Sequence, residues 1–355
     1  MSSVVYQRVF EIRGLLIDFF NFGYIKYNQD TEVVEASPAT TSREICRFLK
    51  ERNRFLPAGH CGEVGMGGFL LQGGMGYPVR TFGPTCRFVV GVDVVTATGE
   101  FYTVTKIITP ICIGQHADPA LDPLVEPFAH ISSLATEGYV ILIGLQSLAS
   151  TDEQAKQNLE IVSETHPTGS LLQAQEMEKT DSDKCYDLAE TPEAYSKPRR
   201  WITLNSFLEN SVDVVTTIRK RATSLPAEGI MVWYPVYPAS HETYEDMAWS
   251  VSSDHYVAWY ASYTNPEEDP FHKKWVHDIE EELDPYTVGS CLGDADFALR
   301  PTKYWSEDAG KRLMDVRKKW DPKGRIAGFM DAEDTSGAEG LSNMKATGKF
   351  ETKLA

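Results

Sequence analysis

PAGHCGEVGMGGFLLQGGMGYPVR, residues 57–80, holds eight of the chain's 26 glycines between Gly59 and Gly76, and Glu63 is the only charged side chain from Gly59 to Val79. Glycine accepts positive φ and has no Cβ, so Gly-x-Gly and Gly-Gly pairs let backbone amides approach a partner that side chains would exclude. An anion or a large planar group is the partner implied. A triphosphate loop is ruled out, because it needs Gly-Lys followed by Ser or Thr and the stretch has no lysine. Gly65-x-Gly67-Gly68 runs on into Phe69, Leu70 and Leu71 and is read as not continuing into a helix, which sets aside the dinucleotide fingerprint.

The stretch resembles the second half of the flavin-binding domain in the vanillyl-alcohol oxidase superfamily, above all the berberine-bridge-like and 6-hydroxynicotine-oxidase-like enzymes. Pro57, Gly59, Cys61, Val64, Gly65, Gly67 and Gly68 carry the likeness, followed by Gly73, Gly74, Gly76 and Tyr77, then Gly83, Cys86 and GVDVVTATGE from Gly91 to Glu100. The C-terminal stretch from Gly293 to Phe329 resembles the family's closing segment through Asp296, Arg312, Leu313, Lys318, Trp320, Asp321, Pro322 and Phe329.

The resemblance implies an α+β chain: a partial PCMH-type flavin domain and a substrate domain with an antiparallel sheet covered by helices. It implies FAD as cofactor, held by Gly59, His60, Cys61, Val64, Gly65, Gly67, Gly68, Gly73, Gly74, Gly76, Tyr77 and Val94. Cys61 stands where bicovalent members carry the cysteine that forms a thioether to the isoalloxazine; the alternative is a small buried thiol beside the ring. His60 either contacts the ring or points to solvent. The implied activity is oxygen-linked oxidation of an alcohol or amine of a small, aromatic, secondary metabolite, with hydride passing to the flavin. The partners are then the small-molecule substrate and dioxygen. Family members carry an R-S-G-G-H-S-like loop upstream and an A-R-G-x-G-like segment after V-V-T-A-x-G. Neither has a counterpart in residues 1–40 or between Glu100 and Thr103. A second reading therefore stands beside the enzyme: a shortened pseudoenzyme or non-redox binding protein that keeps the substrate domain.

The 355 residues suffice for two domains, and a net charge of −17 argues against nucleic acid or an anionic membrane as partner. The longest apolar run, Tyr139 to Leu145, is too short to span a bilayer, and Arg8, Glu11 and Arg13 interrupt the N-terminus where a signal peptide would be apolar. A soluble, by default cytoplasmic, chain is expected. Six cysteines without C-x-x-C give no zinc or disulfide framework, so no metal is expected and most are read as buried thiols. The carboxylates Glu267 to Asp269 read as helix capping, and no catalytic residue is singled out.

Hydrophobic spacing places strands at 15–20, 31–35, 88–96, 100–107, 139–146 (buried), 229–237 and 255–263. Helices are expected after the capping boxes Thr41-x-x-Glu44 and Ser206-x-x-Glu209, over 152–164, from Pro270 with Phe271, Trp275, Ile279 and Leu283 inward, and after Ser306. His272 and His277 are read as surface positions. The strand aromatics Trp233, Tyr234, Tyr237, Tyr256, Trp259, Tyr260 and Tyr263 are divided between a pocket and the core. The expected domains are 1–107 for the flavin, 108–300 for substrate, 301–331 returning to the flavin domain, and a disordered tail over 332–355.

Overall fold

Thr41 opens the first long helix as its spacing predicts. Its Oγ1 accepts from the Glu44 amide at 3.2 Å, and Glu44 Oε2 accepts from the Thr41 amide at 2.8 Å, which closes the capping box. Helix α1 (Ser42–Lys50) follows the antiparallel pair β1 (Ile25–Asn28) and β2 (Val33–Ala36). Its Ile45, Cys46 and Leu49 pack with Ala58 and Met66 into a small N-terminal core. The glycine stretch then forms α2 (Met66–Leu71) and α3 (Val79–Phe82), and a ribbon follows, β3 (Gly91–Val95) with β4 (Phe101–Thr105). The computed structural model describes residues 17–76, 78–105, 124–134, 138–149, 151–163, 180, 182–189, 199–244, 247–294, 302–323 and 326. Tyr77, Asp296, Phe329 and the expected tail lie outside them.

The second half is built on a six-stranded antiparallel sheet in the order β10-β7-β9-β8-β5-β6. Its strands are β5 (Leu124–Leu134), β6 (Gly138–Leu148), β7 (Arg200–Leu208), β8 (Ile230–Pro235), β9 (His255–Tyr263) and β10 (Thr287–Gly289). The helices α4 (Asp152–Ser163), α5 (Ser182–Ala189), α6 (Val212–Ala222), α7 (Asp269–Leu283) and α8 (Glu307–Trp320) complete the chain's described elements. One sheet face buries Leu204, Met231, Val257, Trp259 and Tyr263 against Val214 and Ile218 of α6 and Trp275, Ile279 and Leu283 of α7. The other face carries Phe207, Tyr234, Tyr256 and Ala258 and meets Val79, Met75 and Trp249. The glycine stretch and the sheet thus share a packed boundary.

Several expectations are corrected. Ile17 to Phe20 form no strand, and the first strand starts at Ile25. The residues after Gly65 do continue as a helix, though α2 spans only six residues. Ser206 is a fully buried residue of β7; the cap of α6 is Ser211, whose Oγ accepts from Val214 N at 3.2 Å. The phase of α6 therefore buries Val214, Ile218 and Ala222 and leaves Val212 and Val215 exposed. Strand β6 is present, but its Ile141, Leu142 and Ile143 are exposed at the sheet edge rather than buried. In α7, Phe271 points outward and His272 inward, where its ring stacks on Tyr263 at 4.0 Å; His277 is exposed as expected. Helix phase decides this, since His272, Trp275, Val276, Ile279 and Leu283 repeat at three- and four-residue steps while Phe271 falls outside that stripe. Of the thiols, only Cys46 and Cys291 are buried among the described residues, while Cys61, Cys86 and Cys185 are partly exposed.

The two faces of α7 predict opposite outcomes for truncation. Ile279→Ala removes a fully buried side chain and is expected to cost about 2–5 kcal/mol in urea unfolding. Phe271→Ala, at 61% exposure, is expected to stay within about 0.5 kcal/mol of the parent.

Candidate active site

The loop that presents His60 and Cys61 is clamped from three sides. Two amides of the first turn of α1, which have no partner inside a helix, donate to it: Ser42 N to Val64 O at 2.9 Å and Arg43 N to Gly62 O at 2.8 Å. Thr85 Oγ1 donates to the Pro57 carbonyl, and the Thr85 amide donates to Gly74 O at 2.7 Å. At Gly76 a Cβ would lie 2.0 Å from Ala58 O, so only glycine lets that strand of the loop close on Ala58. Gly73 adopts φ +99° and lies under the Trp249 ring, 2.0 Å from where a Cβ would stand. The Arg43 guanidinium, in turn, holds Glu63 at 2.9 Å and Asp187 of α5 at 2.8 Å.

Across the boundary, strand register assembles a polar cluster on an otherwise apolar face. Tyr256 lies opposite Phe207 of β7 and Tyr234 of β8, and Ala258, two residues on, lies opposite Asn205 and Val232. The small Ala258 separates Tyr256 from Tyr260 along the same face; the Tyr256 hydroxyl hydrogen-bonds Asp294 at 2.5 Å, and Tyr260 lies within the field of the same carboxylate. The loop bearing Asp294 is pinned to β7. Asn205 Nδ2 donates to Cys291 O at 3.0 Å, Cys291 N donates to Asn205 Oδ1 at 2.7 Å, and Thr203 Oγ1 donates to Asp294 O at 3.1 Å. Tyr234 and Tyr256 stack at 6.1 Å with 22° between planes, and the His60 ring continues the series 6.1 Å from Tyr234.

Burial and the Asp294 carboxylate set the protonation of the cluster. Burial, then the charge of Asp294, pushes the Tyr256 and Tyr260 phenols well above their ordinary value, so both stay protonated as donors. Burial and Asp294 likewise push the Cys291 thiol up to about 12. His60 and Cys61 behave differently. For His60 burial is the largest influence and opposes protonation, but the hydrogen bond to Cys61 and the charges of Cys61 and Asp294 outweigh it, and its pKa is raised. For Cys61 burial pushes the thiol up, while the hydrogen bond and charge of His60 prevail and its pKa is lowered.

Residues 1–105 match the FAD binding domain family. The FAD-linked oxidoreductase janO of Penicillium janthinellum is 30% identical over 375 residues, covering 91% of this chain and 82% of the relative. The chain belongs to the FAD-linked oxidoreductases. Among solved structures, GilR, crystallised with pregilvocarcin, has TM-score 0.68 at 15% identity and covers 86% of this chain and 83% of its own. The 6-hydroxy-D-nicotine oxidase of Arthrobacter nicotinovorans has TM-score 0.67 at 11% identity, covering 86% and 79%. The fold is that of the PCMH-type flavoproteins, and the α+β expectation holds.

FAD is the cofactor of these oxidoreductases, and the residues at the boundary fit its ring end. Flat faces of His60, Tyr234 and Tyr256 adjoin the carboxylate at Asp294, and the Cys61 thiol follows His60 in the chain. The expected site residues separate into groups. Gly59, His60, Cys61, Val64, Gly65, Gly67, Gly68, Gly73, Gly74 and Gly76 lie together in the loop around α2. Most of these glycines serve close approach of the chain to itself, against Pro38, Phe69, Trp249 and Ala58; Gly68 is exposed and a Cβ there would meet nothing within 4 Å. Val94 sits in the exposed β3–β4 ribbon, outside the packed clusters that hold the loop, and the ribbon touches α8 through Tyr102 and Trp320 at 4.8 Å. Sequence reasoning missed Asp294, Asn205 and Thr203. Alternation had placed half of the strand aromatics in a pocket, and the first carboxylate after β10 was the signal that could have joined them.

Replacing Asn205 by Ala leaves the amide and carbonyl of Cys291 without their partners in a buried place. A loss of about 2–4 kcal/mol in chemical unfolding is expected, together with weaker retention of FAD through gel filtration.

Proposed function

We propose that the protein oxidises an alcohol or amine carbon of a small aromatic metabolite, with Asp294 as the proton acceptor and Tyr256 and Tyr260 as the groups that orient the substrate and relay its proton. The observation that carries this reading is the 2.5 Å hydrogen bond from Tyr256 to Asp294 on the sheet face that the His60–Cys61 loop covers. The carboxylate there is ordered by the Tyr256 phenol, and a substrate hydroxyl or amine can pass its proton to the tyrosine oxygen while the tyrosine's own proton moves to Asp294. When bound, FAD would supply the two-electron acceptor for the substrate's hydride, with dioxygen as the final acceptor and hydrogen peroxide as product. The sheet face around Asp294 is rich in rings, with Tyr234 and Tyr256 stacked on each other, which favours an aromatic substrate. That GilR catalyses the terminal step of gilvocarcin biosynthesis supports a metabolite of that kind.

His60, Cys61 and the exposed backbone at Gly68 hold the flavin in this reading, while Gly59, Gly65, Gly67, Gly73, Gly74 and Gly76 let the loop take its shape. Cys61 is the attachment point. Its sulfur would hold the flavin by a bond to the benzenoid ring, with loss of the thiol proton and the ring hydrogen and with dioxygen as acceptor of the two electrons released.

The test begins with a panel of benzylic alcohols and amines added anaerobically to FAD-loaded protein, followed by loss of the oxidised-flavin absorption. At least one is expected to bleach the flavin. Asp294→Asn is expected to keep its FAD and to slow bleaching about 10²–10⁴-fold, and Tyr256→Phe to slow it less. Bleaching by Asp294→Asn at the parent rate would remove Asp294 from the reaction.

A further inference from the structure

Glu63 is the only charged side chain from Gly59 to Val79, and the proposed chemistry gives it no role. Its carboxylate, 67% exposed, is held by Arg43 of α1, whose own side chain is 11% exposed. The planar guanidinium turns different nitrogens to different partners. Its Nε donates to Glu63 Oε1 at 2.9 Å and its Nη1 to Asp187 Oδ1 of α5 at 2.8 Å, with Asp183 Oδ1 of α5 at 3.6 Å. The backbone amide of the same residue donates to Gly62 O at 2.8 Å. Arg43 thus grips the chain directly after Cys61 with main chain and side chain together, while its guanidinium reaches a helix residue 144 positions along the chain.

Helix α5 touches both halves of the molecule. On the sheet side, the Gln146 carboxamide of β6 donates to Cys185 Sγ at 3.3 Å. On the other side Tyr186, 3% exposed, belongs to the small core of Ile45, Cys46, Leu49, Ala58 and Met66. Its hydroxyl lies 3.6 Å from Cys46 Sγ, and the Arg43 guanidinium lies over its ring at 5.3 Å. Arg47, one turn after Arg43, donates to Asp183 Oδ1 at 2.7 Å. An apolar anchor and two arginines therefore fix α5 to α1, and the Arg43 contact continues from there into the Cys61 loop. Exposed ion pairs contribute little, but this guanidinium is nearly buried against a ring, and loss of its carboxylates would leave its charge unpaired.

We propose that Arg43 is a positioning residue for the Cys61 loop, joining Glu63 to Asp187 so that α5, docked between β6 and α1, clasps the loop in the shape that receives the flavin. Arg43 touches no reacting atom in this role. It acts through Gly62 and Glu63 on His60 and Cys61, which precede them. A lysine at this position would keep the charge but not the fork, so it could hold one carboxylate and not bridge two. That the clasped loop receives flavin rests on the function proposed above; the clasp itself does not.

The test compares iodoacetamide alkylation at Cys61 and at the buried Cys291 in the full-length protein, read by peptide mass spectrometry on chains whose Cys61 is free of flavin. In Arg43→Gln the loop loses charge-assisted bonds that hold it closed, and Cys61 is expected to react about fivefold faster than in the parent while Cys291 keeps its rate. Arg43→Lys is expected to fall between the two. Asp187→Asn, on the α5 side, is expected to speed Cys61 by a smaller factor and to add nothing further in the Arg43→Gln background. Cys61 at the parent rate in these variants would overturn the clasp, as would equal acceleration of Cys61 and Cys291, which marks a general loss of stability. Asp187 is an exposed position, so Asp187→Asn keeps the test open should Arg43→Gln not fold. FAD binding, followed by quenching of the fluorescence of added FAD, is expected to weaken about twofold or more in Arg43→Gln, because fewer chains hold the closed loop. Selective acceleration of Cys61 with parent FAD affinity supports the clasp and rejects this loop as the flavin's holder.

Discussion

Strand β9 is buried on both faces, and the rest of the molecule is arranged around that constraint. Val257, Trp259, Ala261 and Tyr263 enter the core shared with α6 and α7, while Tyr256, Ala258 and Tyr260 turn to the side covered by the glycine stretch. β9 is paired with β7 along its length and with β8 from His255 to Tyr260, so burial of that stretch on both faces costs little in ladder hydrogen bonds. The cost falls on side-chain polar atoms. A buried phenol needs a partner, and Tyr256 finds the Asp294 carboxylate, whose charge also reaches Tyr260. Trp259 has no such neighbour, and its Nε1 is unpartnered, a penalty of about 1–3 kcal/mol that the large apolar burial of the indole offsets.

Placing Asp294 where two tyrosines can reach it demands that the chain after β10 be fixed at a buried position. Strand β10 is short and its register with β7 shifts, so ladder bonds alone cannot do this. Asn205 takes over by mimicking a strand neighbour, its carboxamide exchanging a donor and an acceptor with the Cys291 backbone, while Ser290 Oγ donates to Asn205 O at 2.8 Å. Gly293 contributes by its missing side chain, since a Cβ there would come 2.8 Å from Gln72 Oε1 at the end of α2. The loop bearing Asp294 therefore meets the glycine stretch at the Gln72 side chain, and Cys61 and Asp294 lie within each other's electrostatic range.

What the sequence disclosed follows from the range of the interactions involved. Elements governed by local physics were legible: the Thr41 capping box, β9 over His255–Tyr263, α4, and α8 with Ser306 at its N-cap. The glycine stretch was legible as one unit because its contacts are mostly internal, to Phe69, Ala58 and neighbouring Pro38. Ser206 misled because Ser-x-x-Glu is a helix signal only where the chain is free to turn, and here Tyr256, Val257 and Ala258 of β9 hold the segment extended. Ser211 then supplies the cap after the strand ends. Phe271 misled for the same kind of reason: an i, i+4 series through Phe271 and Trp275 is a fair pattern, but the sheet selects the stripe through His272 and Val276 instead. The site combined both kinds of residue. Cys61 stood out from its motif, whereas Asp294 gains its meaning from Tyr256 and Tyr260, more than thirty residues away.

Cys61 and Cys291 show how little of a thiol's chemistry belongs to the thiol. Both lie within the field of Asp294, which pushes each toward the protonated form, and burial pushes both the same way. At Cys291 only backbone hydrogen bonds from Gly293 and Asp294 work in the other direction, and the thiol ends near 12. At Cys61 the influence of the adjacent His60 works the other way and prevails, and the imidazole gains from the same carboxylate that opposes the thiolate. Asp294 thus acts on the pair with two signs, disfavouring the sulfur's charge and favouring the ring's. A near charge acts far more strongly than a third group farther off, so Cys61 and Cys291 are shifted in opposite directions beside the same carboxylate.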